Sequence, residues 1–313
     1  MRTLICGSVA FDSIMVFADR FKNHILPDQI HILNVAFLVP EMRKEFGGCA
    51  GNIAYSLKLL GGDPVVMATV GQDHKPYTER MEALGLDTTH VRVINDAYTA
   101  QAFITTDLDD NQITAFHPGA MSFSDENSVL DAKGISLGIV SPDGKSGMIK
   151  HANEFHESGV PFIFDPGQGL PMFDQAELVH FIGMADFLTV NDYEAKLLQE
   201  KVGKSIDEIA KQVKALIVTK GGEGSVIFTK GKEINIPAVS AAEILDPTGC
   251  GDSYRSGLLY GIQHEWDWKL TGQLASLVGA IKIASRGPQN HLFDNVEIES
   301  KFKEEFGITI KLN

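Results

Sequence analysis

The sequence predicts an α/β fold of three layers, a mostly parallel sheet between two layers of helices, carrying a small antiparallel β lid. Three observations point there. From about Ser136 onward, short apolar strands alternate with helical stretches, the pattern of a parallel sheet covered on both faces. Residues 13 to 45 and 91 to 118 instead hold strand-like pieces, which suits a lid inserted into that body. Gly7, Asp165, Asn191 and Thr219 all stand at or just past expected strand ends, where ligands of such folds sit.

The first strand is Thr3 to Cys6, stopped by Gly7. Between Ile14 and Phe46 the stretch Ile30 to Val39 reads as a strand, with Pro27 and Pro40 as punctuation. Gly51 to Leu60 has helical spacing, with Ile53, Leu57 and Leu60 on one face. Pro64 to Val70 is a strand and Tyr77 to Leu84 a helix. Residues 99 to 116 form an antiparallel hairpin turning at Leu108-Asp109-Asp110-Asn111. The body strands are Leu137 to Val140, Phe162 to Phe164, Phe187 to Val190 and Leu216 to Thr219. A second hairpin, Ser225 to Thr229 and Glu233 to Ile236, precedes three closing helices at 250 to 264, 269 to 285 and 295 to 306.

At 313 residues, 44% hydrophobic and 22% charged, the chain suits one domain, residues 1 to 313, with a sizeable core. Its 27 basic and 41 acidic residues leave a net charge of −14, which argues against a nucleic-acid partner. Cys6, Cys49 and Cys250 lack the spacing of a disulfide framework or zinc site, so a reducing compartment fits. The N-terminus reaches glycine too soon for a signal peptide, and no apolar run has the length of a membrane span. The expectation is a cytoplasmic protein with no membrane partner.

The most informative segment is D-P-T-G-C-G-D, Asp246 to Asp252, leading straight into a helical stretch. Gly249, Cys250 and Gly251 would present unpaired backbone N–H groups at a helix start, a ready cradle for anionic oxygen. Asp252 follows in the first turn. Phosphoryl transfer to a hydroxyl needs this pairing: donors for the charge on the moving group and a carboxylate for the hydroxyl proton. Taken alone, an acidic residue there is also an ordinary helix cap.

Other segments add to it. Asp12, shortly past the first strand, could bridge two neighbouring hydroxyls of a sugar, or be a turn residue. Gly47 to Asn52, G-G-C-A-G-N, opens a helix and would let a ligand approach the backbone; the dinucleotide spacing GxGxxG is absent. In N-D-Y-E, Asn191 and Glu194 could organise water around Mg2+, or simply cap a helix. T-K-G-G-E-G, Thr219 to Gly224, could lie against an adenine and ribose, or be a glycine turn. Gln101, Phe116 and His117 on the lid could grip a flat base, or pack the lid. Gly144-Lys145-Ser146 imitates the end of a Walker A loop, but Ile139 stands where the required glycine would be.

In this order, Asp12, G-G-C-A-G-N, V-G-Q-D at 70 to 73, N-D-Y-E, V-T-K-G-G-E-G and D-P-T-G-C-G-D closely resemble the ribokinase-like, or phosphofructokinase-B, family of carbohydrate and nucleoside kinases. The resemblance covers nearly the whole chain. It implies ATP and Mg2+, Asp252 as the catalytic base, and Gly249, Cys250 and Gly251 as the anion hole. It further implies Asn191 and Glu194 at Mg2+ through water, and Thr219, Gly221, Gly224 and Thr248 near the nucleotide. Asp12, Gly48 and Asn52 would hold the acceptor hydroxyls, with Gln101, Phe116, His117 and Gln168 also on the substrate.

The segments 110 to 120, 164 to 171 and 246 to 255 resemble archaeal and bacterial nucleoside kinases, including the adenosine kinase type. Cys250 stands where Ala is usual, and Arg255 where many sugar kinases carry a neutral residue, as a phosphate contact or an ion pair. The expected reaction is phosphorylation of a ribonucleoside 5′-hydroxyl, most of all adenosine, by a monomer or homodimer. The alternatives are a ribose or fructose kinase, a catalytically silent binding module on the same fold and, remotely, a dinucleotide oxidoreductase. K+ activates parts of the family, and the turn Ser285-Arg286-Gly287-Pro288 lies where such a site would form.

Overall fold

The computed structural model describes residues 1–25, 34–109 and 111–312. In chain order its elements begin β1 (Arg2–Cys6), β2 (Ala10–Val16), β3 (Glu41–Gly47), α1 (Cys49–Leu59), β4 (Asp63–Gly71), α2 (Lys75–Ala83) and β5 (Asp87–Ile94). Then come β6 (Ala100–Thr106), β7 (Gln112–His117), β8 (Ile135–Val140), α3 (Lys145–Ser158), β9 (Phe162–Phe164), α4 (Gln175–Met184) and β10 (Phe187–Asn191). The chain continues through α5 (Asp192–Val202), α6 (Ile206–Ala210), β11 (Ala215–Thr219), β12 (Ser225–Thr229) and β13 (Lys232–Ile236). It closes with α7 (Cys250–Gln263), α8 (Trp268–Ile283) and α9 (Asn295–Phe306).

Nine strands form one sheet in the order β13-β12-β11-β10-β9-β8-β1-β4-β5, parallel except at β12 and β13. Helices cover both faces, which explains the runs of consecutive apolar residues in the central strands. In β1, Ile5 joins one core with α1, α2, α7, α8 and α9, while Leu4 and Cys6 join the other with α3, α4 and α5. In β4, Val66 and Ala68 face the first core and Val65 and Met67 the second. A strand buried on both sides has no polar alternation to show. Because β4 and β8 leave β1 on opposite sides, the crevice at the strand ends opens beside β1.

The second sheet has the order β3-β2-β6-β7. Its β2–β3 and β6–β7 ladders are antiparallel, but β2 and β6 run parallel, so the small sheet is not wholly antiparallel as expected. The long path through the body between β2 and β6 is what permits a parallel pairing. Two boundaries also change. Residues 91 to 94 belong to β5, paired parallel to β4 in the large sheet. As a half-exposed edge strand it alternates polar and apolar residues, and so reads like a strand of the lid.

Of the strand expected at Ile30 to Val39, residues 30 to 33 lie outside the described residues. Residues 34 to 39 are not extended into a ladder. Phe37 packs on Phe17 and Phe21, with ring centroids 4.8 and 5.0 Å away, so this apolar run serves an aromatic cluster. The strand itself begins after Pro40.

Candidate active site

A cavity of about 600 Å³ lies where the two sheets meet the strand ends. Asp12, Gly48, Asn52, Phe116, Gln168, Asn191, Glu194, Thr248, Gly249, Gly251 and Asp252 line it, so residues spread over the chain converge on one space. The Gly144-Lys145-Ser146 segment merely starts α3, with Lys145 paired to Glu177 at 2.8 Å.

Gly249 caps α7 in the left-handed region at φ 79°, and a Cβ there would come within 2.7 Å of Pro288. Only glycine suits that position. The set of free amides differs in one member from the expected anion hole. The Cys250 amide donates to the Pro247 carbonyl at 3.1 Å, closing the turn, and its thiol lies toward the Asp246 carbonyl. Among the described residues, the Gly249, Gly251 and Asp252 amides have no such acceptor, and they are the donors left at the cavity wall.

Asp252 is held from the other side of the cavity. Asn52 Nδ2 donates to its carboxylate at 2.8 Å, and Gln289 Nε2 donates to Asn52 Oδ1 at 3.0 Å and to the Tyr77 hydroxyl oxygen at 2.7 Å. The Tyr77 hydroxyl in turn donates to the Gly47 carbonyl at 2.6 Å. Burial pushes the Asp252 carboxyl up to about 6, against the Asn52 bond and the Arg255 charge, which act to lower it. Asp12 is likewise raised to about 6, by burial first and then by the charges of Asp252, Asp246 and Glu45. Gln289 and Tyr77 carry no sequence signal for this role: one lies in a surface-like turn, the other on an amphipathic helix.

Asn191 and Glu194 form a capping box at the start of α5, each side chain accepting from the other's backbone N–H at 2.8 Å. Among the described residues this leaves the second Glu194 oxygen without a protein donor, and burial raises the carboxyl's pKa. Asp165 also lines the cavity but is committed to an ion pair. Both of its oxygens are bonded by Arg255, at 2.8 and 3.0 Å, and the pair is almost wholly buried. The donor set therefore fits Mg2+ that arrives with its nucleotide and keeps most of its water, and no group of three metal-ligating side chains gathers among the described residues.

K+ fits poorly. At the Ser285–Pro288 turn, the Ser285 and Asp246 carbonyl oxygens already hold the Lys282 ammonium.

Gln101, His117, Thr219, Gly221 and Gly224 do not line the cavity. Gln101 donates to Asp73 at 2.9 Å, and His117, its partner across the β6–β7 ladder, is exposed. Thr219 is paired with Asn191 at the ends of β11 and β10, and Gly221 and Gly224 follow in an exposed turn at φ 54° and 87°. That turn follows the end of β11 that pairs with Asn191, a residue of the cavity wall. Asp143 was not anticipated. It lines the cavity fully buried, takes a bond from the Gly144 amide at 2.9 Å, and burial pushes its carboxyl up to about 8.

The pfkB family carbohydrate kinase model matches residues 8–294. This chain belongs to that family. The kinase is 33% identical over 261 residues to a nucleoside kinase of Methanocaldococcus jannaschii, covering 83% of this chain and 86% of that one. Its fold superposes on the Burkholderia thailandensis nucleoside kinase in complex with inosine with a TM-score of 0.91. The two are 56% identical, over 99% of both chains. The ADP-inosine complex of that protein gives a TM-score of 0.88 at 57% identity, covering 99% of this kinase and 98% of its neighbour. No helix among the described residues is long and apolar enough to cross a membrane.

Proposed function

We propose that this kinase transfers the γ-phosphoryl group of ATP to the 5′-hydroxyl of a purine ribonucleoside, adenosine and inosine foremost. One observation carries the reading: Asp252, with its pKa raised to about 6, stands beside the free Gly249 and Gly251 amides in a cavity large enough for a nucleoside. The 56% identity to a nucleoside kinase in complex with inosine, extending over 99% of both chains, supports the choice of acceptor.

In this reading Asp12 holds the ribose hydroxyls, and the spare N–H of Asn52 helps it. Phe116 and the small sheet act as a lid over the base and exclude water. Asp252 takes the 5′-hydroxyl proton as the oxygen attacks the γ-phosphorus, the bond to the bridging oxygen breaks, and ADP leaves. The Gly249, Gly251 and Asp252 amides stabilise the charge on the transferring group. Asn191 and Glu194 would hold, through water, the Mg2+ that accompanies ATP, and the ion would supply neutralisation of phosphate charge. Because such transition states are loose, positioning and electrostatics matter more than base strength.

The test is ADP release with Mg-ATP across adenosine, inosine, guanosine, cytidine, ribose and fructose. Turnover on purine nucleosides with little on free sugars is the expected outcome. Turnover on a sugar alone would overturn the acceptor, and silence on all six would overturn the catalytic reading.

A further inference from the structure

Lys282 is fully buried in the last turn of α8, yet among the described residues no carboxylate lies within ion-pair distance of its ammonium. Burying an unpaired charge is costly, so a lysine whose chain leads inward needs a reason. Its Nζ donates to the Asp246 carbonyl at 2.7 Å and the Ser285 carbonyl at 3.1 Å. These two oxygens belong to the two loops that build the anion hole. Asp246 opens the segment that ends in Gly249, and Ser285 opens the turn that ends in Pro288, the residue against which Gly249 is packed.

Everything around the ammonium serves the same junction. The Asp246 carboxylate accepts from Thr248 N at 2.9 Å and Gly287 N at 2.8 Å, and Leu245 N and Asp246 N both donate to Ile283 O. Two carbonyl dipoles aimed at one buried point repel each other unless a donor sits between them, and a charged ammonium offsets both more strongly than a neutral donor would. The groups around it are Arg43 on β3, 3.8 Å from the Asp246 carboxylate, Asp246 itself, Cys250 and Asp252 at the start of α7, and His291, which burial keeps neutral with a pKa of about 4.

We propose that the Lys282 ammonium is a built-in monovalent cation: it clamps the Asp246 and Ser285 carbonyls, holds the anion-hole loop in its active shape, and makes a free K+ unnecessary. Lys282 is thus a positioning residue acting through Gly249 and Gly251. The proposal rests on the kinase reading above and deepens it.

The experiment measures turnover with Mg-ATP and inosine at constant ionic strength in choline, Na+, K+ or NH4+ chloride. Wild-type turnover is expected to be the same in all four. Lys282→Ala, which opens space for an ion, should lose on the order of 10²-fold in kcat in choline, as a displaced catalytic group does, with little change in the inosine KM. K+ or NH4+ should restore part of that loss. Lys282→Met, which fills the space without charge, should lose as much and recover nothing.

A wild-type enzyme that turns over only with K+ overturns the proposal, as does a folded Lys282→Ala with full turnover in choline or with a loss that no cation relieves. If neither variant folds, the wild-type cation series decides alone. No wild-type turnover with any cation would instead overturn the kinase reading.

Discussion

Asn52 donates to Asp252 at 2.8 Å across a sequence separation of 200 residues. The bond joins α1 to α7 and ties a residue expected to hold the acceptor to the residue expected to take its proton. Asp252→Asn keeps the shape of this contact and removes the proposed base. Its turnover is expected to fall by about 10²- to 10⁴-fold, the usual worth of a positioned general base, with inosine affinity largely kept. Steady-state kinetics and calorimetric titration with inosine check both halves. Near-normal turnover would remove Asp252 from its role.

The Asn52 amide is itself oriented by Gln289, which no motif marks. Gln289→Leu should leave Asn52 Oδ1 and the Tyr77 hydroxyl oxygen without their donor, at a cost of about 1–3 kcal/mol in stability. Asn52 then no longer presents Nδ2 reliably, and the bond that lowers the Asp252 pKa weakens. The acid limb of kcat/KM should therefore move to higher pH, which a merely structural glutamine would not cause.

Wild-type pH dependence follows from the same two carboxyls. Asp252 and Asp12 each rise from 3.8 to about 6, and the proposed mechanism uses both as carboxylates. Because kcat/KM reports the free enzyme, it should be level above this range and fall as pH drops through about 6. The two groups interact, so the limb belongs to the pair and should be steeper than a single protonation. Stability runs the other way. A folded pKa above the unfolded 3.8 means that the stabilisation is complete below pH 3.8 and is lost as pH rises through about 6. The melting temperature of Asp252→Asn relative to wild type should therefore be higher at pH 8 than at pH 5.

Backbone-determined features were legible in the sequence. D-P-T-G-C-G-D announces a helix start that only glycine can enter, and the body strands announce themselves by unbroken apolar runs. The side-chain network was not, because its bonds connect residues far apart in the chain. Nothing local distinguishes Gln289, Lys282 or Asp143 from ordinary turn and helix residues; burial alone gives them meaning. Residues 91 to 94 of β5 read as lid for a related reason, since an edge strand has the same alternation in either sheet. The Cys250 amide shows the limit at the finest scale: a glycine pair marks the hole, but which N–H groups stay free depends on where the Pro247 carbonyl points.

For Arg255 the sequence leaves phosphate contact and ion pairing open. Its Nε and Nη2 both bond Asp165, and Nη1 lies 3.3 Å from the Gly251 carbonyl, so the guanidinium is already engaged within the protein. Burial acts to lower its pKa, and Asp165 more than reverses that. Arg255→Met should cost about 3–5 kcal/mol, because it strands a buried carboxylate. It also removes a charge that lowers the pKa of Asp252 and Glu194 while leaving Asp165, which raises both, so the acid limb of kcat/KM should shift upward. Adding Asp165→Leu removes both opposing charges, so most of the stability and the position of the limb should return. Thermal melts and pH profiles of the two single variants and the double variant measure this coupling. The KM for ATP separates the two roles: an ion pair predicts a value near wild type in the double variant, whereas a phosphate contact predicts one that stays high however well the carboxylate is compensated.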